Sequence, residues 1–91
     1  MRAIVIHAHG GAEQLRLVEL ADPVAGPGQA VVRVHACALN RLDLWVRSGL
    51  PGSRLPLPHV LGSDIAGVVE ALGPGVDAGW LGRPVLVNPG L

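Results

Sequence analysis

The chain has 91 residues, which is room for one small domain and one core. Its seven arginines balance seven acids and no lysine is present, so it lacks the one-sided field that nucleic acid or an anionic membrane would require. Apolar residues make up 49% of the chain, yet Trp45 and Trp80 are its only aromatics, which leaves a core of Val, Leu, Ile and Ala and little with which to stack on bases.

No apolar run approaches the roughly 18 to 20 residues that span a bilayer. The amino terminus lacks the apolar core and small-residue cleavage site of a secretion signal, so cytoplasmic residence is the default expectation. The single cysteine, Cys37, forms no intramolecular disulfide and no Cys-x-x-Cys metal clip.

In chain order, residues 2–8 carry a β-branched Ile-Val-Ile centre and predict a strand, ended by a turn at Gly10-Gly11. Residues 14–20 alternate imperfectly and predict a second strand, antiparallel to the first. Residues 22–28, with two prolines and two glycines, predict a loop. Residues 29–39 form the clearest strand pattern, with Arg33 and His35 on its outward face. Asn40 stands where an N-cap is wanted, and Leu42, Leu44, Trp45 and Val46 suit a short helix closed by Gly49.

Three prolines between residues 51 and 58 predict a surface excursion, with His59 in that loop. Residues 65–72 predict a strand interrupted at Gly67 by a bulge or a close backbone approach. Gly73-Pro74-Gly75 is a turn, since it lacks the further glycine and lysine of a phosphate loop. A last strand over residues 81–87 stops at Asn88-Pro89-Gly90. Short strands punctuated by Gly and Pro, with one helix available for crossovers, predict a mainly β fold closed as a small, strongly bent barrel.

These residues carry a resemblance. His9-Gly10-Gly11-Ala12-Glu13-Gln14-Leu15 resembles the first hairpin turn of quinone oxidoreductase-like members of the medium-chain dehydrogenase/reductase superfamily. Asn40-Arg41-Leu42-Asp43 and Arg47-Ser48-Gly49 resemble their Asn-x-x-Asp and Arg-x-Gly signatures, and Pro58, Gly62, Asp64, Gly67, Val68, Gly73, Gly75 and Val76 match the strand that follows. The resemblance covers nearly the whole chain. It implies a GroES-like β-barrel, in agreement with the strand pattern.

In zinc-using alcohol dehydrogenases of the superfamily, a cysteine ligand falls at Asn40 and a His-Glu pair at Ser63-Asp64. Catalytic zinc needs about three nitrogen, sulfur or carboxylate ligands and an open position. Neither Asn40 nor Ser63 is a good zinc ligand, and the hydroxyl residue that relays a proton falls on Leu42. Cys37 lies three residues before Asn40, an odd offset that turns it to the other face of a strand. The resemblance therefore implies zinc-free, NADPH-dependent reduction of a quinone or an activated double bond.

Without a Lewis acid such a reaction depends on position and on donors that meet the developing oxyanion. Asn40 is the candidate donor, because its amide both donates and accepts. The same residue also reads as a helix cap. Asp43 reads as a first-turn carboxylate favoured by the helix dipole, and alternatively as the residue that orients Asn40. Ser63, Asp64 and Trp45 are placed at the substrate and cofactor cleft. Asp64 also reads as a structural acid bonded to backbone or to Arg47, and Trp45 as a ring packed beneath the helix. His7 and His9, two apart, would share a strand face, but no third metal ligand is evident, and no metal site is assigned.

A Rossmann domain with its Gly-x-Gly-x-x-Gly turn needs more chain than this. Residues 1–91 are therefore expected to be the GroES-like, substrate-side domain of a longer homo-oligomeric enzyme, with NADPH bound mainly by the missing nucleotide-binding domain. Alone, the chain is expected to be inactive. In some relatives the Asn88-Pro89-Gly90-Leu91 type of ending leads into a cysteine-rich lobe with a structural zinc. Two other readings stand beside this one: an alcohol dehydrogenase with an altered metal site, and a non-catalytic GroES-like assembly module that dimerises through exposed strand edges.

Overall fold

The computed structural model describes residues 1–52 and 55–88. The chain is mainly β with one short helix: β1 (Arg2–Ile6), β2 (Arg16–Glu19), β3 (Ala30–Ala38), α1 (Arg41–Ser48), β4 (His59–Val60), β5 (Asp64–Leu72) and β6 (Pro84–Leu86). The strands pair into two three-stranded sheets, ordered β2-β1-β4 and β3-β5-β6. The expected small β domain is present, but strand pairing among the described residues runs in two sheets rather than around a closed ring. Two compact units result, one formed by residues 1–21 and 39–62, the other by residues 22–38 and 63–91.

In the first unit, β1 is the central strand. It pairs antiparallel with β2 from Arg2↔Glu19 to Val5↔Arg16, as expected, and with β4 through Val5↔Val60 and Ile6↔His59. A strand with neighbours on both edges is the one whose side chains leave water, and Val5 and Ile6 are the unit's fully buried residues, at 2% and 0% exposure. Burial of this kind contributes about 1.5–3 kcal/mol for each side chain.

Two expectations are corrected in this unit. The first strand ends at Ile6, so His7 and His9 lie in the following bend and share no strand face. The excursion over residues 51–58 holds as far as it is described, since residues 53 and 54 lie outside the described set, but His59 leaves the loop to enter β4. A two-residue strand has no alternation of its own to read; it exists because β1 offers a free edge.

In the second unit, β5 is central, between β3 and β6. It runs unbroken for nine residues, so Gly67 does not interrupt it. A Cβ at Gly67 would run into the Arg33 carbonyl oxygen and the Val32 side chain, which is the close approach the sequence suggested. The bulge falls on the partner strand: Val34↔Gly67 is followed by Ala36↔Ala66, leaving His35 as an extra residue on β3. A second shift, Val31↔Ala71 followed by Val32↔Val69, leaves Glu70 extra on β5. Val69, at 4% exposure, is the buried hydrophobic residue of this unit.

Gly73-Pro74-Gly75 makes the expected turn, with Gly75 at φ +81° and the Val76 N–H donating to the Gly73 carbonyl at 3.4 Å. The turn is bonded to the 22–28 loop and its neighbour: the Gly28 N–H donates to Pro74 at 2.9 Å and the Gly73 N–H to Gln29 at 2.8 Å. The last strand is shorter than expected, Pro84–Leu86, but ladder-like bonds extend it. Val69 N–H donates to the Arg83 carbonyl at 3.0 Å and Val87 N–H to Ile65 at 3.0 Å. The expected stop at Asn88-Pro89-Gly90 lies outside the described residues from position 89 onward.

Candidate functional site at the amino terminus of the helix

Asn40 has extended backbone, φ −127° and ψ 157°, and is the N-cap of α1, as expected. It closes a capping box with Asp43. The Asp43 carboxylate Oδ2 accepts the Asn40 N–H at 2.9 Å, and the Asp43 N–H donates to the Asn40 carbonyl at 3.0 Å. The negative charge also sits in the first helical turn, where the helix dipole favours it. Asn40 and Asp43 are therefore brought together, with Asn40 exposed and Asp43 half-buried.

Trp45 lies one turn further along α1 and is 53% exposed, so its ring is not packed away beneath the helix within this chain. No residue of α1 is fully buried. In the second unit, Ser63 and Asp64 are half-buried where β5 begins, with Asp64 in register with Ala38. Cys37 is exposed on β3. Among the described residues no three His, Cys, Asp or Glu side chains gather as a metal-ligand group. No helix among them is long and apolar enough to cross a membrane.

The carboxyl end of α1 is held by the expected Gly49 cap and by residues that the sequence did not single out for it. Gly49 caps it through an N–H bond to the Trp45 carbonyl at 2.9 Å. The Gly10 N–H donates to the Arg47 carbonyl at 2.8 Å, Arg47 Nε donates back to the Gly10 carbonyl at 3.2 Å, and His9 Nδ1 meets the Val46 carbonyl at 2.9 Å. The only sequence signal for this was that His9-Gly10-Gly11 and Arg47-Ser48-Gly49 both belonged to the recognised pattern. An open groove of about 340 Å³ in the second unit, bordered by His35, Gly67, Pro84 and Leu86, contains none of the expected site residues.

Chemically, the helix start offers an exposed carboxamide whose backbone is tied by an acid. Such a group can donate to an oxygen and does not ionise. It is not a zinc ligand set.

Residues 26–90 match the alcohol dehydrogenase GroES-like domain family. The quinone oxidoreductase of Pongo abelii is 42% identical over 74 residues, covering 80% of this chain and 22% of that protein. The crystal structure of an NAD-dependent alcohol dehydrogenase superposes with a TM-score of 0.88 at 53% identity, over 100% of this chain and 26% of that one. A mycobacterial protein solved in complex with NADPH gives a TM-score of 0.83 at 38% identity, over 94% of this chain and 27% of that one. The chain thus belongs to the GroES-like alcohol dehydrogenase domain family of the medium-chain dehydrogenase/reductase superfamily. It spans about a quarter of the length of the relatives it matches.

Proposed function

We propose that this chain is the substrate-side domain of a nicotinamide-dependent oxidoreductase that reduces a quinone or an activated C=C bond without catalytic zinc. The observation that carries this reading is Asn40: an exposed carboxamide, held as N-cap of α1, at the position where zinc-using relatives place a cysteine. The likeness to quinone oxidoreductases supports it.

A reduced nicotinamide, NADPH in this reading and bound mainly by chain beyond the present residues, supplies the hydride. The work of this chain is then positional and electrostatic. The Asn40 amide N–H donates to the substrate oxygen on which charge develops, a contact that strengthens as the oxygen becomes anionic. Asp43 holds the Asn40 backbone N–H and so limits where that amide can be. Trp45, more than half exposed, supplies an apolar wall for a planar substrate.

The reading is tested by assaying the intact enzyme with NADPH and NADH against a quinone, an enone and a simple alcohol. Turnover of the quinone or enone is expected, and turnover of the alcohol alone would overturn it. One observation favours a second reading, an alcohol dehydrogenase with an altered metal site: the 53% identity to the structure of an NAD-dependent alcohol dehydrogenase. That reading requires stoichiometric zinc in the intact enzyme, with ligands other than Asn40 and Ser63.

A further inference from the structure

An α-helix leaves its last four carbonyls without intrahelical donors. In α1 the Gly49 N–H meets the Trp45 carbonyl, and of the Val46, Arg47 and Ser48 carbonyls that follow, two are met by the single loop that leaves β1. His9 Nδ1 reaches the Val46 carbonyl at 2.9 Å and the Gly10 N–H reaches the Arg47 carbonyl at 2.8 Å. Arg47 Nε returns a bond to the Gly10 carbonyl at 3.2 Å, so both backbone polar groups of Gly10 are bonded to one residue 37 positions away. The imidazole also lies against Gly49, where an added Cβ would come within 3.3 Å of His9 Cγ.

Ordinary helices are located by the side chains they bury, and α1 buries none fully. What fixes it in its unit is therefore weighted toward this loop, which follows the most buried strand, with Val5 and Ile6 at its end. Eight residues make a rod of about 12 Å, so an error at the carboxyl end is transmitted to the amino end, where Asn40 and Asp43 lie.

We infer that His9, with Gly10 and Arg47, is a positioning clamp for the helix that carries Asn40, and that it works only with the proton on Nδ1. A carbonyl oxygen can only accept, so the 2.9 Å contact is a hydrogen bond only when Nδ1 is the donor. Neutral His9 is accordingly held as the Nδ1–H tautomer, with Nε2 carrying the lone pair. For its effect on turnover, though not for the clamp itself, the inference rests on the role proposed above for Asn40.

The first test needs no variant. In the intact protein labelled with 15N-histidine and held at a pH where imidazole is neutral, His9 is expected to show a protonated Nδ1 and an unprotonated Nε2. A predominant Nε2–H tautomer would overturn the clamp. The second test uses His9→Leu, which removes the donor, and His9→Asn, whose Nδ2 stands the same number of bonds from Cβ as Nδ1. His9→Leu is expected to speed exchange of the Gly10 amide by roughly tenfold and to lower kcat by roughly tenfold, with the affinity for NADPH unchanged. His9→Asn is expected to restore both. Unaltered Gly10 exchange in His9→Leu, or equal damage in the two variants, would refute the clamp. If exchange follows this pattern while kcat does not move, the clamp stands and the role of Asn40 falls.

Discussion

Asp43 Oδ2 accepts the Asn40 N–H at 2.9 Å while the Asp43 N–H donates to the Asn40 carbonyl at 3.0 Å, so the two residues assigned to the site cap the same helix. The structural and the chemical readings of Asn40 are therefore compatible. The backbone and the side chain of Asn40 both take part in the capping box, and an amide oxygen that accepts in the cap is compatible with an amide N–H that donates to a substrate oxygen.

The two roles separate by substitution. Asn40→Asp keeps a good N-cap but replaces a donor with an acceptor. Its stability should change by no more than about 1 kcal/mol in chemical denaturation, while kcat in quinone reduction falls by about a hundredfold. A variant with full kcat would remove Asn40 from the mechanism.

Asp43→Ala should do the reverse in kind. It removes the acceptor for the Asn40 N–H and the first-turn charge, which should cost about 1 kcal/mol of stability, read from the denaturation midpoint. A smaller loss of activity should accompany it, because Asn40 remains but is less well held.

Gly67 and Gly73 are predicted to be the least replaceable positions of the second unit. A Cβ at Gly67 would strike the Arg33 carbonyl, and one at Gly73 the Gly26 carbonyl, and backbone cannot swing aside as a side chain can. Alanine at either should destabilise by more than about 2 kcal/mol. Equilibrium unfolding at wild-type denaturant concentrations would contradict this.

The ion pair between Arg33 Nε and Glu70 Oε2, 2.9 Å long, should matter little, because its side chains are 71% and 40% exposed. Glu70→Gln is expected to shift stability by less than about 1 kcal/mol, and the shift should shrink further in high salt.

Prolonged chelation of the intact enzyme should leave the initial rate of quinone or enone reduction unchanged. Loss of rate that zinc alone restores would favour the alcohol dehydrogenase reading.

Features written in local chemistry were legible in the sequence. Asn40 and Gly49 bracket α1, the Gly73-Pro74-Gly75 turn closes where two glycines flank a proline, and β-branched runs place β1, β3 and β5 to within a few residues. Features that depend on what lies opposite were not legible. The two residues of β4 are a strand only because β1 has an edge to offer, and the extra residues at His35 and Glu70 appear only once β3 and β5 are in register.

The candidate site divides in the same way. That Asn40 and Ser63 are poor zinc ligands is a property of their side chains, so the sequence alone determined it, along with the family and the mainly β fold. Tertiary structure decided that Trp45 is half exposed rather than packed beneath α1, and that His9 is a hydrogen-bonding partner of Val46 rather than one of a pair on a strand face. The physical reason is range. Caps, turns and ligand chemistry act over a few residues, whereas the bond from His9 to α1 closes a separation of 37 residues that no local pattern encodes.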